Sequence, residues 1–76
     1  MPIDRITFDP NLLSGKACIR GMGISVSIVL KLLAGGMTPE QILADYPDLE
    51  REDIRQCLIY AALLSEESVI PVAAAT

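Results

Sequence analysis

Residues 37–54 read Met37-Thr38-Pro39-Glu40-Gln41-Ile42-Leu43-Ala44-Asp45-Tyr46-Pro47-Asp48-Leu49-Glu50-Arg51-Glu52-Asp53-Ile54. This stretch decides the fold, because it starts a helix, stops it and starts another within eighteen residues. Thr38 is an N-cap, Pro39 takes the first helical position, and Gln41 completes a capping box. Met37 before the cap and Ile42 inside the helix have the spacing of a hydrophobic staple. Pro47 disfavours a helical Tyr46, so the helix stops near Asp45. Leu49 and Ile54 repeat the staple spacing, which puts the next N-cap at Glu50. Glu caps poorly, so Asp48 competes for that role and the start of this helix is weakly held. Ile54, Cys57, Leu58 and Ala61 then form an apolar stripe at helical period, predicting a helix over 51–64.

Upstream, Val26 to Ala34 predict another helix, with Ser25 as N-cap and Gly35-Gly36 as its left-handed ending. Its apolar residues run nearly all round, so it should be covered on most sides, most simply by a second subunit. Before it, Arg5-Ile6-Thr7-Phe8 and Lys16-Ala17-Cys18-Ile19-Arg20 alternate polar and apolar, predicting strands at about 5–8 and 16–20. Two strands alone are unstable in water and need a helical or subunit partner. The expected architecture is mainly α: a three-helix helix-turn-helix core, homeodomain- or winged-helix-like, with two short N-terminal strands, as an intertwined dimer. Residues 1–66 form one domain, and 67–76 form an apolar tail.

Composition narrows the function. The chain has 76 residues, of which 51% are apolar, and it has no His. A chain this short has one marginal core, and its apolar excess favours a homodimer. Without His, the commonest general base and metal ligand are missing. The expectation is therefore no enzyme, no catalytic residues, no metal and no cofactor. Ser14-Gly15-Lys16 echoes the end of a phosphate-binding loop but lacks the upstream glycines. Cys18 and Cys57 lack metal spacing and read as reduced thiols packed like small apolar side chains, with a disulfide as the alternative. There is no secretion signal and no run long enough to span a membrane, so a cytoplasmic protein is expected.

Net charge is −4, with four basic and two acidic side chains in residues 1–31 but two and eight in 32–76. That places a basic face at the N-terminal end. Four residues are candidates for DNA: Lys16, Arg20, Arg51 and Arg55. Arg51 and Arg55 lie one turn apart at the start of the third helix, which enters the major groove in helix-turn-helix proteins. The alternative is that they pair with the neighbouring acids on a solvated face. Lys16 and Arg20 flank the second strand, either as a basic strip for phosphate or as charges guarding a strand edge. Val69-Ile70-Pro71-Val72 is the candidate partner-binding segment. It could instead fold back on its own dimer or be disordered.

Several pieces occur in a specific order: Ile19-Arg20-Gly21, Ile24-Ser25-Val26, Leu33-Ala34-Gly35-Gly36-Met37-Thr38-Pro39-Glu40-Gln41-Ile42-Leu43, Asp45-Tyr46-Pro47-Asp48-Leu49, and Leu58-Ile59-Tyr60-Ala61. In this the chain resembles the prokaryotic domain-of-unknown-function 433 family, also described as VapB-type antitoxin-like. The resemblance covers about residues 3–62. It implies a homeodomain-like helix-turn-helix and a neighbouring gene for a PIN-like ribonuclease toxin. The protein would then be an antitoxin that neutralises that toxin and represses the shared promoter. One departure is the pair Met22-Gly23, where the family usually has Thr-Arg. If that arginine contacts DNA or toxin, this chain binds more weakly or differently. Three functions stay open: antitoxin, DNA-binding regulator and structural dimerisation module.

Overall fold

Strand β1, Ile6–Phe8, pairs antiparallel with strand β2, Ala17–Ile19, with Ile6 opposite Ile19 and Phe8 opposite Ala17. The computed structural model describes residues 3–65. Between the strands, the Asp9 carboxylate accepts the Asn11 N–H at 2.9 Å, which starts the turn. Leu13, Ser14 and Gly15 then wind one left-handed turn, with φ of 52°, 57° and 79°. Backbone bonds from the Gly15 and Lys16 N–H groups to the Leu12 and Leu13 carbonyls hold it.

After β2 the chain reverses at once. Arg20 and Gly21 are both left-handed, and the Met22 N–H closes the turn on the Ile19 carbonyl at 2.9 Å. Gly23, at φ +78°, occupies a conformation that L side chains rarely adopt, while Met22 packs on the core. An arginine at position 23 would be strained in this backbone. The Ile19 N–H donates to the Ile24 carbonyl at 2.9 Å, and Cys18 forms an isolated antiparallel bridge with Ser25.

Helix α1 spans Val26–Ala34, and the Ser25 hydroxyl accepts the Ile28 N–H as its cap. It ends in a Schellman motif. The Gly36 N–H donates to the Leu33 carbonyl and the Met37 N–H to the Leu32 carbonyl, with Gly36 at φ +101°. Helix α2, Pro39–Asp45, carries both halves of the expected capping box. Helix α3, Arg51–Ser65, follows a short turn through Pro47 and Asp48.

The architecture is thus mainly helical, three helices behind a two-stranded antiparallel sheet. One core joins them: Ile19 from β2, Val26 and Val29 from α1, Ile42 from α2, Leu49 from the turn, and Ile54 and Cys57 from α3. Both staples contribute, since Ile42, Leu49 and Ile54 are buried and Met37 packs against them. Cys18 and Cys57 are free, buried thiols. Burial, with the nearby Asp53 charge, pushes the Cys57 thiol up to about 11. In the single chain α1 is covered on one side only: Val26 and Val29 are buried, but Ile28 remains 41% exposed.

Candidate functional site

Polar chemistry concentrates at the first turn of α3, and its centre is Asp53. Its side chain is 0% exposed and both its oxygens are used. Arg20 grips it with two bonds, Nε to Oδ1 at 3.0 Å and Nη2 to Oδ2 at 2.8 Å. Arg5 Nη1 donates to Oδ1 at 3.1 Å. The Glu50 N–H donates to Oδ2 at 2.7 Å, which caps the helix from its third residue. The expected cap by the Glu50 or Asp48 side chain does not form. Glu50 instead accepts from Arg5 at 2.6 Å, and the Asp48 carbonyl accepts from Arg20 at 2.7 Å. Burial alone would push the Asp53 carboxyl up. The Arg20 guanidinium, the Glu50 N–H and Arg5 outweigh it and hold the group below the usual carboxylate range. Gln56 extends the network, accepting the Arg5 N–H and donating to Asp4 and Glu52.

The four DNA candidates are therefore not assembled into one strip. Arg20 turns onto the first turn of α3, whereas Lys16 lines a groove with Leu64 and Ser65 at its last turn. A fifteen-residue helix is about 22 Å long, which separates the two charges by most of its length. Arg51 pairs with Glu40 of α2, not with the acids beside it in sequence. Arg55 pairs with Glu52 at 3.0 Å. Both pairs are exposed, and a small apolar hollow floored by Ile54 and Leu58 lies between α2 and α3 beside them. Surface pairs like these are worth at most about 1 kcal/mol, so a phosphate could displace either carboxylate. Sequence reasoning missed Arg5 and Asp53 as a unit. The two lie 48 residues apart, and no local pattern links them.

At the other end of α3 lies an open groove of about 540 Å³. Val26, Ser27 and Leu30 of α1 form one wall, Tyr60, Ala61 and Leu64 of α3 the other, and Lys16 and Ala17 one end. The residues 60, 61 and 64 share a helix face by their spacing. Leu64 is 55% exposed there, and Phe8, at 59%, packs on Tyr60 in a tilted arrangement, with ring centres 6.1 Å apart and planes at 54°. An apolar surface of this kind suits an apolar partner and offers one cation, Lys16, for orientation. Val69, Ile70, Pro71 and Val72 lie outside the described residues.

Among the described residues, no three His, Cys, Asp or Glu side chains are grouped to hold a metal. No described helix is long and apolar enough to cross a membrane. Comparison with known families matches residues 6–61 to the protein family of unknown function DUF433. The chain belongs to the DUF433 family. No curated protein and no solved structure matches it. The match covers β1 to most of α3 and so takes in Arg20, Glu50 and Asp53 of the network and Val26, Leu30, Tyr60 and Ala61 of the groove in this DUF433 chain, but Arg5 and Leu64 lie outside it.

Proposed function

We propose that this DUF433 chain is a non-enzymatic, cytoplasmic protein-binding antitoxin that pairs with a PIN-like ribonuclease toxin and neutralises it. The supporting observation is the chain's apolar exposure, above all the groove between α1 and α3 with Leu64 on its wall. Three of the four basic candidates already have carboxylate partners within the chain, which weakens the case for nucleic acid as the main ligand. Partner capture is assigned to Val69–Val72, and the working unit is a homodimer. Co-expression with the neighbouring gene's product, followed by co-purification and native mass spectrometry, tests this. A complex of fixed stoichiometry is expected, and deleting residues 67–76 should abolish it while circular dichroism stays unchanged. If the truncated chain still neutralises, the segment has no part in the mechanism.

The second reading is a helix-turn-helix DNA-binding regulator. It draws on one observation, the exposed Arg51 and Arg55 at the start of α3 after a short turn from α2. Each phosphate neutralised adds about 0.9 to the salt slope. Replacing both arginines with Ala should therefore lower the slope by about 2 per subunit in a DNA titration. An unchanged slope would remove α3 from the DNA interface. A structural dimerisation module remains the reading if neither titration nor co-purification finds a ligand.

A further inference from the structure

We propose that the outer edge of β1 is a self-association face, and that its occupant is β1 of a second copy, paired antiparallel about a two-fold axis at Thr7. The backbone register fixes which groups point outward. Along an antiparallel pair, bonded and non-bonded positions alternate. Arg20 donates its N–H to the Arg5 carbonyl at 2.7 Å, and in the same register Thr7 faces Cys18. The positions bonded to the β2 side are therefore 5 and 7, and the N–H and C=O groups of Ile6 and Phe8 point away from β2. The second strand agrees, since the Ile19 N–H, opposite Ile6, donates outward to the Ile24 carbonyl. That bond and the Cys18–Ser25 bridge cover the outer edge of β2. Among the described residues, β1 has no strand on its own outer side. Exposed edges are commonly guarded by Lys or Pro, and Ile6-Thr7-Phe8 carries neither. The edge is also self-complementary. Centred on Thr7, the pairing sets Ile6 against Phe8 of the second copy, and each such pair exchanges both backbone bonds. Ile6 and Phe8 share one sheet face by alternation, so each pair joins an aromatic to a β-branched side chain. This gives the exposed Phe8 ring an apolar neighbour besides Tyr60. One position further out, Arg5 meets Asp9, and the opposite charges repeat on both sides of the axis. An isologous interface requires that repetition. Ala17 of the groove lies across β1 from this edge, so the groove stays open to the partner protein. The inference rests on the homodimer in the reading above and gives that dimer its face.

The experiment follows sedimentation and amide hydrogen exchange of the full-length chain over a concentration series. A dimer is expected. The Ile6 and Phe8 amides should exchange several-fold more slowly above the dissociation midpoint than below it, while the Gln41 amide, held by its local cap, keeps its rate. In a mixture of isotope-labelled and unlabelled chain, a filtered nuclear Overhauser contact should join Ile6 of one copy to Phe8 of the other. Phe8→Lys charges the edge and alters an exposed side chain. It should weaken the dimer about tenfold with an unchanged circular dichroism spectrum. A dimer without the slowed amides and the filtered contact would overturn this face and leave the homodimer standing. A monomer at every concentration would overturn both. Protection of Ile6 and Phe8 only when the neighbouring gene's product is added would give the edge to a strand of that protein, which also overturns pairing with a second copy.

Discussion

At the residue scale, Asp53 shows how a charge can be kept at zero exposure. It accepts bonds from two guanidiniums and one backbone N–H, so its lone pairs are used in place of water. Both arginines remain partly in water, at 28% and 36% exposure. Asp53→Asn should therefore cost about 2–3 kcal/mol, somewhat under the about 3–5 kcal/mol of breaking a fully buried pair. Urea unfolding at pH 7 measures it. The pH dependence follows from the lowered carboxyl. Unfolded Asp titrates near 3.9, so the folded chain binds this proton less readily than the unfolded one. The stabilisation is full above that pH and disappears as pH falls through the lower folded value. The gap between wild type and Asp53→Asn should be constant from pH 6 to 8 and shrink below about pH 4. Arg20 holds Asp53 from a left-handed backbone that costs a non-glycine residue about 1–2 kcal/mol. Two short bonds to a buried carboxylate outweigh that cost.

At the scale of elements, the helices were legible because their ends carry local chemistry. Thr38 and Gln41 are three residues apart, and their two bonds, 3.2 and 2.8 Å, need nothing from the rest of the fold. Ser25 and Gly36 are equally local. Thr38→Ala should cost about 1 kcal/mol, which lowers the melting temperature by about 4–8 °C in a domain this small. Calorimetry reads this directly. The start of α3 was read less well for a physical reason. Its cap comes from Asp53 inside the helix, and the acids around it looked like simple complements to the helix dipole. Their arginine partners, Arg5 and Arg20, flank the two strands, at a distance no helical or strand period encodes.

For the whole molecule, the Arg5–Asp53 clasp and the apolar groove occupy opposite ends of α3. Two of the four basic residues among the first 31, Arg5 and Arg20, are held at one end of α3, while the groove, with Lys16 at its end, opens at the other. Composition foretold the apolar excess but not its location, because Val26, Leu30, Tyr60 and Leu64 converge only through tertiary packing. The clasp also has a temporal consequence. Arg5 N–H to Gln56 and Gln56 to Asp4 join residues 51 and 52 positions apart, so β1 and the start of α3 lose these bonds in one event. Amide hydrogen exchange should show it. The backbone N–H groups of Arg5, Arg20 and Glu50 should share one opening free energy, set by the global transition, although two of them lie near the surface. Asp53→Asn should lower all three together and leave the capping-box amides of Thr38 and Gln41 to follow their own local opening. A single side chain would thereby make β1 and α3, the first and last of the described elements, one unit of exchange.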